Sequence, residues 1–354
     1  MRILEDNIEE LAALCQYAGA RTDFVQAAGG NVSVKADDKS LLIKASGCLL
    51  NEVNLQEGWV LVNKERVYEA LLRSVSAVDE KLQDNQRATK ELRAASAKNG
   101  KWPSIETYFH VLFQKYTLHT HPVAVNLMLC QKNSREEILN LFPDSLFIDY
   151  ATPGIEVARE ILKHERCREG NPRRKASVVF LKNHGVIVSA DDMNQVARIH
   201  DRVVESLEKI FGVRGRTSMG PKGQCQKTHD HWCESRHPYL LKQLKAKEEL
   251  FFHPPLTPDE FIFCGYNAVR VRALEKDEGF VLYESRWGSL PKVVIRNHGI
   301  YFNTDSVQKA NQMEEVLWSH IFLLDHLKKQ PEYLSAEECM FLSQWEAEKY
   351  RQSR

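Results

Sequence analysis

From Ile3 to Gly19 apolar residues recur at helical spacing, with Ile8, Leu11, Leu14 and Cys15 on one face. This predicts an amphipathic helix that Gly19 stops. The period then changes to two. FVQAAGGNVSVKADDKSLLIKASG reads as two alternating strands joined by a polar turn at Asp37-Asp38-Lys39. Residues 64 to 101 are polar and helical, and end in a basic run of Arg87, Lys90, Arg93, Lys98 and Lys101 that a solvated helix face explains. After Pro103-Ser104 a helix is expected over Thr107 to Lys115, with Phe109, Leu112 and Phe113 buried. A strand carrying His119-Thr120-His121 follows, then short helices at Val123 to Cys130 and in SREEILNLFP, a strand and turn in FIDYATPG, and a helix in IEVAREILKHER. SVVFLKNHGVIVSA is an apolar run broken by Asn183-His184-Gly185. Asp191 and Asp192 then cap the long helix MNQVARIHDRVVESLEKIF, where a first compact unit closes. Strands mixed with helices in this way predict an α/β or α+β layered domain.

Residues 212 to 258 have the Gly, Ser and Pro content of a linker, with a helix in their second half. Beyond them LPKVVIRNHGIYFNTDSVQKANQMEEVLWSHIFLL repeats the form of ASVVFLKNHGVIVSADDMNQVARIHDRVVESLEKI: apolar strand, Asn-His-Gly, apolar strand, acidic cap, long helix. This is an internal duplication signal. The second copy has no counterpart of His119-Thr120-His121 and no Ser-x-Glu before it, so His298 is expected to serve packing or the loop. EECMFLSQWEAEKYR reads as an amphipathic helix anchored by Phe341, Leu342 and Trp345.

Composition narrows the function classes. The 354 residues exceed one comfortable core, which favours two domains. Lys plus Arg (48) balance Asp plus Glu (48), so no global field draws the chain to nucleic acid or an anionic membrane. The N-terminal stretch is acidic and helical, unlike a signal peptide, and no run reaches membrane-spanning length. Eight scattered cysteines fit a reducing cytoplasm.

The chemistry concentrates in WPSIETYFHVLFQKYTLHTHP. In a strand, His119 and His121 point to one face while Thr120 points away, so one cation can take both imidazoles. An ordinary strand can also carry His-x-His. A third histidine changes the reading: His184, in a turn or close backbone approach made by Asn183-His184-Gly185, completes three histidines that Glu106 can join. Glu106 stands where a helix begins, which holds its carboxylate at a fixed point. Such a set leaves a coordination position for substrate, as catalytic sites do. Gly29-Gly30-Asn31 and Ser46-Gly47 flank the hairpin and offer backbone N–H groups to a phosphate, although turns alone account for such clusters too. Cys225, His229, His231, Cys233 and His237 have no usual zinc-knuckle spacing.

GGNVS, KASG, PSIE, HTHP and KNHG, in this order over residues 5 to 212, resemble the class II sugar-phosphate aldolase and adducin family. KASG and PSIET are most similar to the aldolase part of rhamnulose-phosphate aldolase/short-chain dehydrogenase proteins, but no G-x-G-x-x-G is present, so no dehydrogenase domain is expected. The resemblance implies a three-layer α/β/α domain over residues 1–212, here followed by a linker with a helix (213–255) and a smaller, related α/β domain (256–354). It also implies Zn2+ or another divalent metal on His119, His121 and His184, Glu106 as catalytic acid/base, and Gly30, Asn31, Ser46, Gly47 and Ser104 at the substrate phosphate. The implied reaction is aldol cleavage or formation of a ketose phosphate. A metal-dependent 4-epimerase or dehydratase is the alternative within the family, and a noncatalytic adducin-like interaction protein the alternative outside catalysis. Two departures stand out: Ile105 replaces a serine that many members have, and Tyr150, the only tyrosine between His121 and His184, aligns poorly with a proton-donor role. A homo-oligomer is expected, a dimer before a tetramer, with the second half taking over part of the assembly role.

Overall fold

A computed structural model describes residues 2–73, 81–97, 101–167, 177–213, 225–229 and 231–344. Its strands are β1 Asn31–Lys35, β2 Ser40–Lys44, β3 Trp59–Asn63, β4 Tyr116–Thr120, β5 Leu146–Ile148, β6 Val178–Leu181, β7 Gly185–Ala190, β8 Gln226–His229, β9 Trp232–Glu234, β10 Val269–Arg270, β11 Val293–Arg296 and β12 Gly299–Asn303. They form a seven-stranded sheet in the order β3-β2-β1-β4-β7-β6-β5 and a five-stranded sheet in the order β10-β11-β12-β9-β8. Among the described residues, only β5–β6 and β10–β11 pair in parallel.

Both faces of the larger sheet are covered, so its strands are apolar on both sides. Val178 and Phe180 join a core with Leu11, Leu14, Leu127 and Leu207, whereas Val179 and Leu181, one residue out of phase, join Leu71, Leu92 and Ile161. The period of two thus sorts each strand between two helical layers. Helices Arg2–Gly19, Val123–Leu129 and Met193–Phe211 supply the first layer; Lys64–Leu72, Lys81–Ala94 and Ile155–Cys167 supply the second. Asp192 caps the longest of the six by accepting from Gln195 N at 2.7 Å.

The smaller sheet repeats the central part of the larger one. In each, a parallel pair (β5–β6, β10–β11) leads into a hairpin (β6–β7, β11–β12), whose second strand pairs antiparallel with an earlier strand (β4, β9). A helix stands between the parallel strands in both, Ile155–Cys167 and Glu278–Trp287, and a long helix follows each hairpin, Met193–Phe211 and Val307–His326. The second half is therefore related to the first in topology. Its sheet begins at Gln226: the stretch expected as a linker with a helix also contributes β8 and β9, alongside helix Pro238–Ala246. Short, polar strands such as QKTH carry little periodicity to read.

The two halves share one core. Phe251, Leu256, Cys264, Ile300, Phe302 and Trp318 belong to the same buried cluster as Leu11 and Val186. Each fully buried side chain of this size contributes roughly 1.5–3 kcal/mol.

Other readings shift in detail. The helix expected over Thr107 to Lys115 ends at His110. Beyond it the sheet takes the backbone: Lys35 N donates to Lys115 O at 2.9 Å, Gln114 N donates to Ser189 Oγ at 3.0 Å, and Lys35 Nζ donates to Phe113 O. β3 carries no motif and is an addition. The C-terminal helix Ala336–Gln344 buries Leu342 and half-buries Phe341, while Trp345 and Lys98 lie outside the described residues. Seven cysteines are described with their side chains, and all are free thiols.

Candidate metal and substrate site

The centre of the large sheet holds His119, which pairs with Asn31 of β1 on one side and Ile187 of β7 on the other. β4 ends at Thr120, so His121 stands just past the strand, where its N–H donates to Phe24 O at 3.0 Å. The alternation persists across that end. His119 Nε2 lies 3.0 Å from His121 Nε2, while Thr120 turns to the opposite layer and its hydroxyl meets His200 Nε2 at 2.8 Å.

His184 arrives from the β6–β7 turn. Asn183 adopts φ 54, in the left-handed region that Asn tolerates, and its amide donates to Leu256 O (2.8 Å) and Glu332 O (2.6 Å) of the second half. Gly185 is required by close approach: a Cβ there would sit 2.3 Å from Thr120 O and 2.9 Å from His121 Cδ2. His184 Nε2 consequently reaches to 3.3 Å from His119 Nε2. The related hairpin takes another course with the same tripeptide. There Arg296 pairs with Gly299, leaving a two-residue turn with Asn297 (φ 47) and His298 (φ 63) both left-handed, and His298 is exposed. In the first hairpin Leu181 pairs with Gly185, so three residues make the turn and His184 is carried inward.

Glu106 precedes the short helix Thr107–His110, and its N–H donates to Ser104 Oγ at 3.3 Å. Its Oε2 accepts from Asn31 Nδ2 at 2.5 Å. Its Oε1 is buried, accepts no hydrogen bond, and lies 3.3 Å from His184 Nε2 and 3.5 Å from His119 Nε2. Asn31 is itself held from behind: its Oδ1 faces His110 Nε2, and His110 Nδ1 meets Ser33 Oγ at 2.7 Å. Burial lowers the pKa of His110 well below the ordinary imidazole value. The neutral ring can therefore donate from Nε2 and accept at Nδ1.

These donors fit a divalent metal. His119 Nδ1 is hydrogen-bonded to Val186 O (3.1 Å) and His121 Nδ1 to Asp259 Oδ2 (2.7 Å), which places the ring protons there and leaves both Nε2 lone pairs facing inward. Burial pushes His184 down to about 3, against the opposing pull of Glu106, and so keeps it neutral. Lone pairs this close repel unless positive charge stands between them. Nitrogens bound tetrahedrally at 2.0–2.1 Å would be separated by about 3.3 Å, close to the spacing found. Among the described residues, these three histidines are the only group of His, Cys, Asp or Glu placed to share an ion. Among the described side chains, Cys225, His231, Cys233 and His237 are not brought together as a metal-holding group.

A cleft of about 720 Å³, counting the part open to solvent, borders this centre. Gly30, Asn31, Ser46, Gly47, Ser104, Glu106, His121 and His184 all line it, so the structure gathers the expected substrate residues against the histidines. The Asn31 amide at this cleft donates to Glu106 Oε2 and to Ser104 Oγ (3.3 Å). Tyr150 faces elsewhere, donating to Glu338 Oε1 at 2.9 Å.

Several lining residues were not foreseen. Lys44 comes from the end of β2. Arg93, expected on a solvated face, stacks its guanidinium 3.3 Å over the Trp102 ring at the cleft wall. Pro258, Asp259 and Ile262 come from the second half. The KASG motif pointed towards Lys44, but no local signal marks Arg93 or Asp259, whose parts depend on distant packing.

A family model for the class II aldolase and adducin N-terminal domain matches residues 9–210, more than half of the chain. The protein belongs to this family. Among solved structures, the N-terminal class II aldolase domain of a conserved protein from Thermoplasma acidophilum is 20% identical, over 58% of this chain and 93% of that one, with a TM-score of 0.49. An L-fuculose-1-phosphate aldolase from Thermus thermophilus is 15% identical, over 60% and 97%, with a TM-score of 0.35. A sugar-phosphate aldolase from Thermotoga maritima is 16% identical, over 59% and 97%, with a TM-score of 0.39. No curated protein matches the chain. Among the described residues, no helix is long and apolar enough to cross a membrane.

Proposed function

We propose that the protein is a lyase that cleaves or forms a C–C bond in a ketose phosphate, using a divalent cation, zinc by preference, on His119, His121 and His184. The observation that carries this reading is the gathering of three Nε2 atoms, with His119 3.0 Å from His121 and 3.3 Å from His184, beside the unpaired Oε1 of Glu106, 3.3 Å from His184 and 3.5 Å from His119. A cation held there supplies positive charge against the negative charge that develops on oxygen as the C–C bond breaks. Glu106 moves the proton at Oε1, and Asn31 fixes that oxygen by holding Oε2. Ser46, Gly47 and Ser104 offer donors to the phosphate, and Lys44 and Arg93 bring positive charge to the same cleft.

The same reading places the chain in the reducing cytoplasm as a homo-oligomer, with a dimer favoured, which light scattering measures. The deciding assay incubates zinc-loaded protein with a panel of ketose 1-phosphates and detects dihydroxyacetone phosphate. Release of that product with stoichiometric metal supports the lyase. Metal uptake with substrate epimerised or dehydrated would replace it with the sister chemistry, and no metal uptake would refute it.

A further inference from the structure

Asp259 lies 138 positions from His121, in the second half of the chain, yet its Oδ2 is 2.7 Å from His121 Nδ1. We propose that Asp259 is a positioning residue: it holds His121 with Nε2 facing the cation, so that the second half completes the metal centre of the first. This rests on the metal-dependent reading above.

A histidine ligand whose other ring N–H is given to a carboxylate is fixed in tautomer and rotation and made more basic. Val186 O does this for His119; for His121 the acceptor is Asp259. Both partners are buried and the contact is built from two sides. A Cβ on Gly29 would stand 2.8 Å from Asp259 Oδ2 and 3.1 Å from His121 Nδ1, so glycine leaves the space through which they meet. Asp259 is set by the start of helix Pro258–Cys264, where Thr257 and Glu260 form a capping box and Glu260 Oε2 meets His320 Nδ1 at 2.8 Å. His320 belongs to helix Val307–His326. The same helix fixes the other side, because Glu315 Oε2 accepts from Ala27 N at 3.0 Å, two residues before Gly29. One helix of the second half thus anchors both the aspartate and the loop that makes room for it.

The test uses the full chain and reads cation affinity by competition with a chromophoric chelator, together with the visible spectrum of the Co2+-loaded protein. Asp259→Ala is expected to weaken binding by about 10- to 100-fold and to shift the cobalt bands. Asp259→Asn keeps the shape and an acceptor oxygen but not the charge, and is expected to lose less. Gly29→Ala, whose methyl group would crowd Asp259 Oδ2 at 2.8 Å and His121 Nδ1 at 3.1 Å, is expected to weaken binding by disturbing their contact. A folded Asp259→Ala protein that binds within twofold of the parent with unchanged bands overturns the inference alone. Should that variant fail to fold, an unchanged Asp259→Asn protein does the same. A parent chain that takes up no cation overturns both this inference and the proposed function.

Discussion

Oε1 of Glu106 faces His184 Nε2 across 3.3 Å, buried and with no hydrogen-bond donor of its own. A carboxylate oxygen left unpaired inside a protein costs about 1–3 kcal/mol or more unless something satisfies it. A cation held by the three histidines would satisfy it, and in the proposed reaction so would a proton taken from substrate.

Replacing Glu106 by Gln should leave the fold intact and cut turnover by a factor of roughly 100 to 10,000. Asn31 Nδ2 donates to one side of the group, so the new amide must turn its carbonyl there and its NH2 towards the imidazoles. A modest loss of metal should accompany the loss of rate. Turnover within a few-fold of the parent would remove Glu106 from the mechanism.

His184→Ala removes a direct donor, and its effect on affinity should exceed the roughly 10- to 100-fold that loss of an outer partner costs. Metal analysis after dialysis reads this directly. Unchanged stoichiometry and affinity would show that the cation, if any, is held elsewhere.

Asn31→Ala separates two parts that one residue could play. If the amide aligns Glu106, as its 2.5 Å contact indicates, kcat falls and KM changes little. A rise in KM at constant kcat would return Asn31 to the phosphate.

Acid should destabilise the protein early. His200 is pushed down to about 3 by burial: Tyr17 Oη gives its proton to Asp201 and so receives His200 Nδ1–H, while Thr120 donates to Nε2. Because the folded pKa lies below the unfolded value near 6.5, this neutral ring's contribution is complete above that value and is lost as pH falls towards the folded pKa. The loss is about 1.4 kcal/mol per pH unit. Urea midpoints of the metal-free protein should drop between pH 6.5 and 5, and His200→Gln should flatten that slope while lowering stability at pH 7. A slope unchanged in the variant would contradict the assignment.

Much of this was legible in the chain itself because local chemistry dictates it. The period of two that sorts Val178 from Val179, the Asp192 cap, and the glycine at Gly185 each answer a demand of their own backbone neighbours. The histidines could be paired from alternation along one strand, and the doubled strand, Asn-His-Gly, strand and helix pattern anticipated the similar hairpin and long helix of the second half.

Other features are set by contacts the pattern does not encode. Identical Asn-His-Gly tripeptides became a three-residue turn burying His184 and a two-residue turn exposing His298, since strand register is settled by what each hairpin packs against. β9 is a strand because β12 offers it an edge, and β8 because β9 offers it one in turn. The Asp259–His121 contact spans the two halves, and a pair so far apart in sequence has no local signature. It exists because a shared apolar core holds both halves in one arrangement, and burial area fixes that arrangement only when the whole chain is folded.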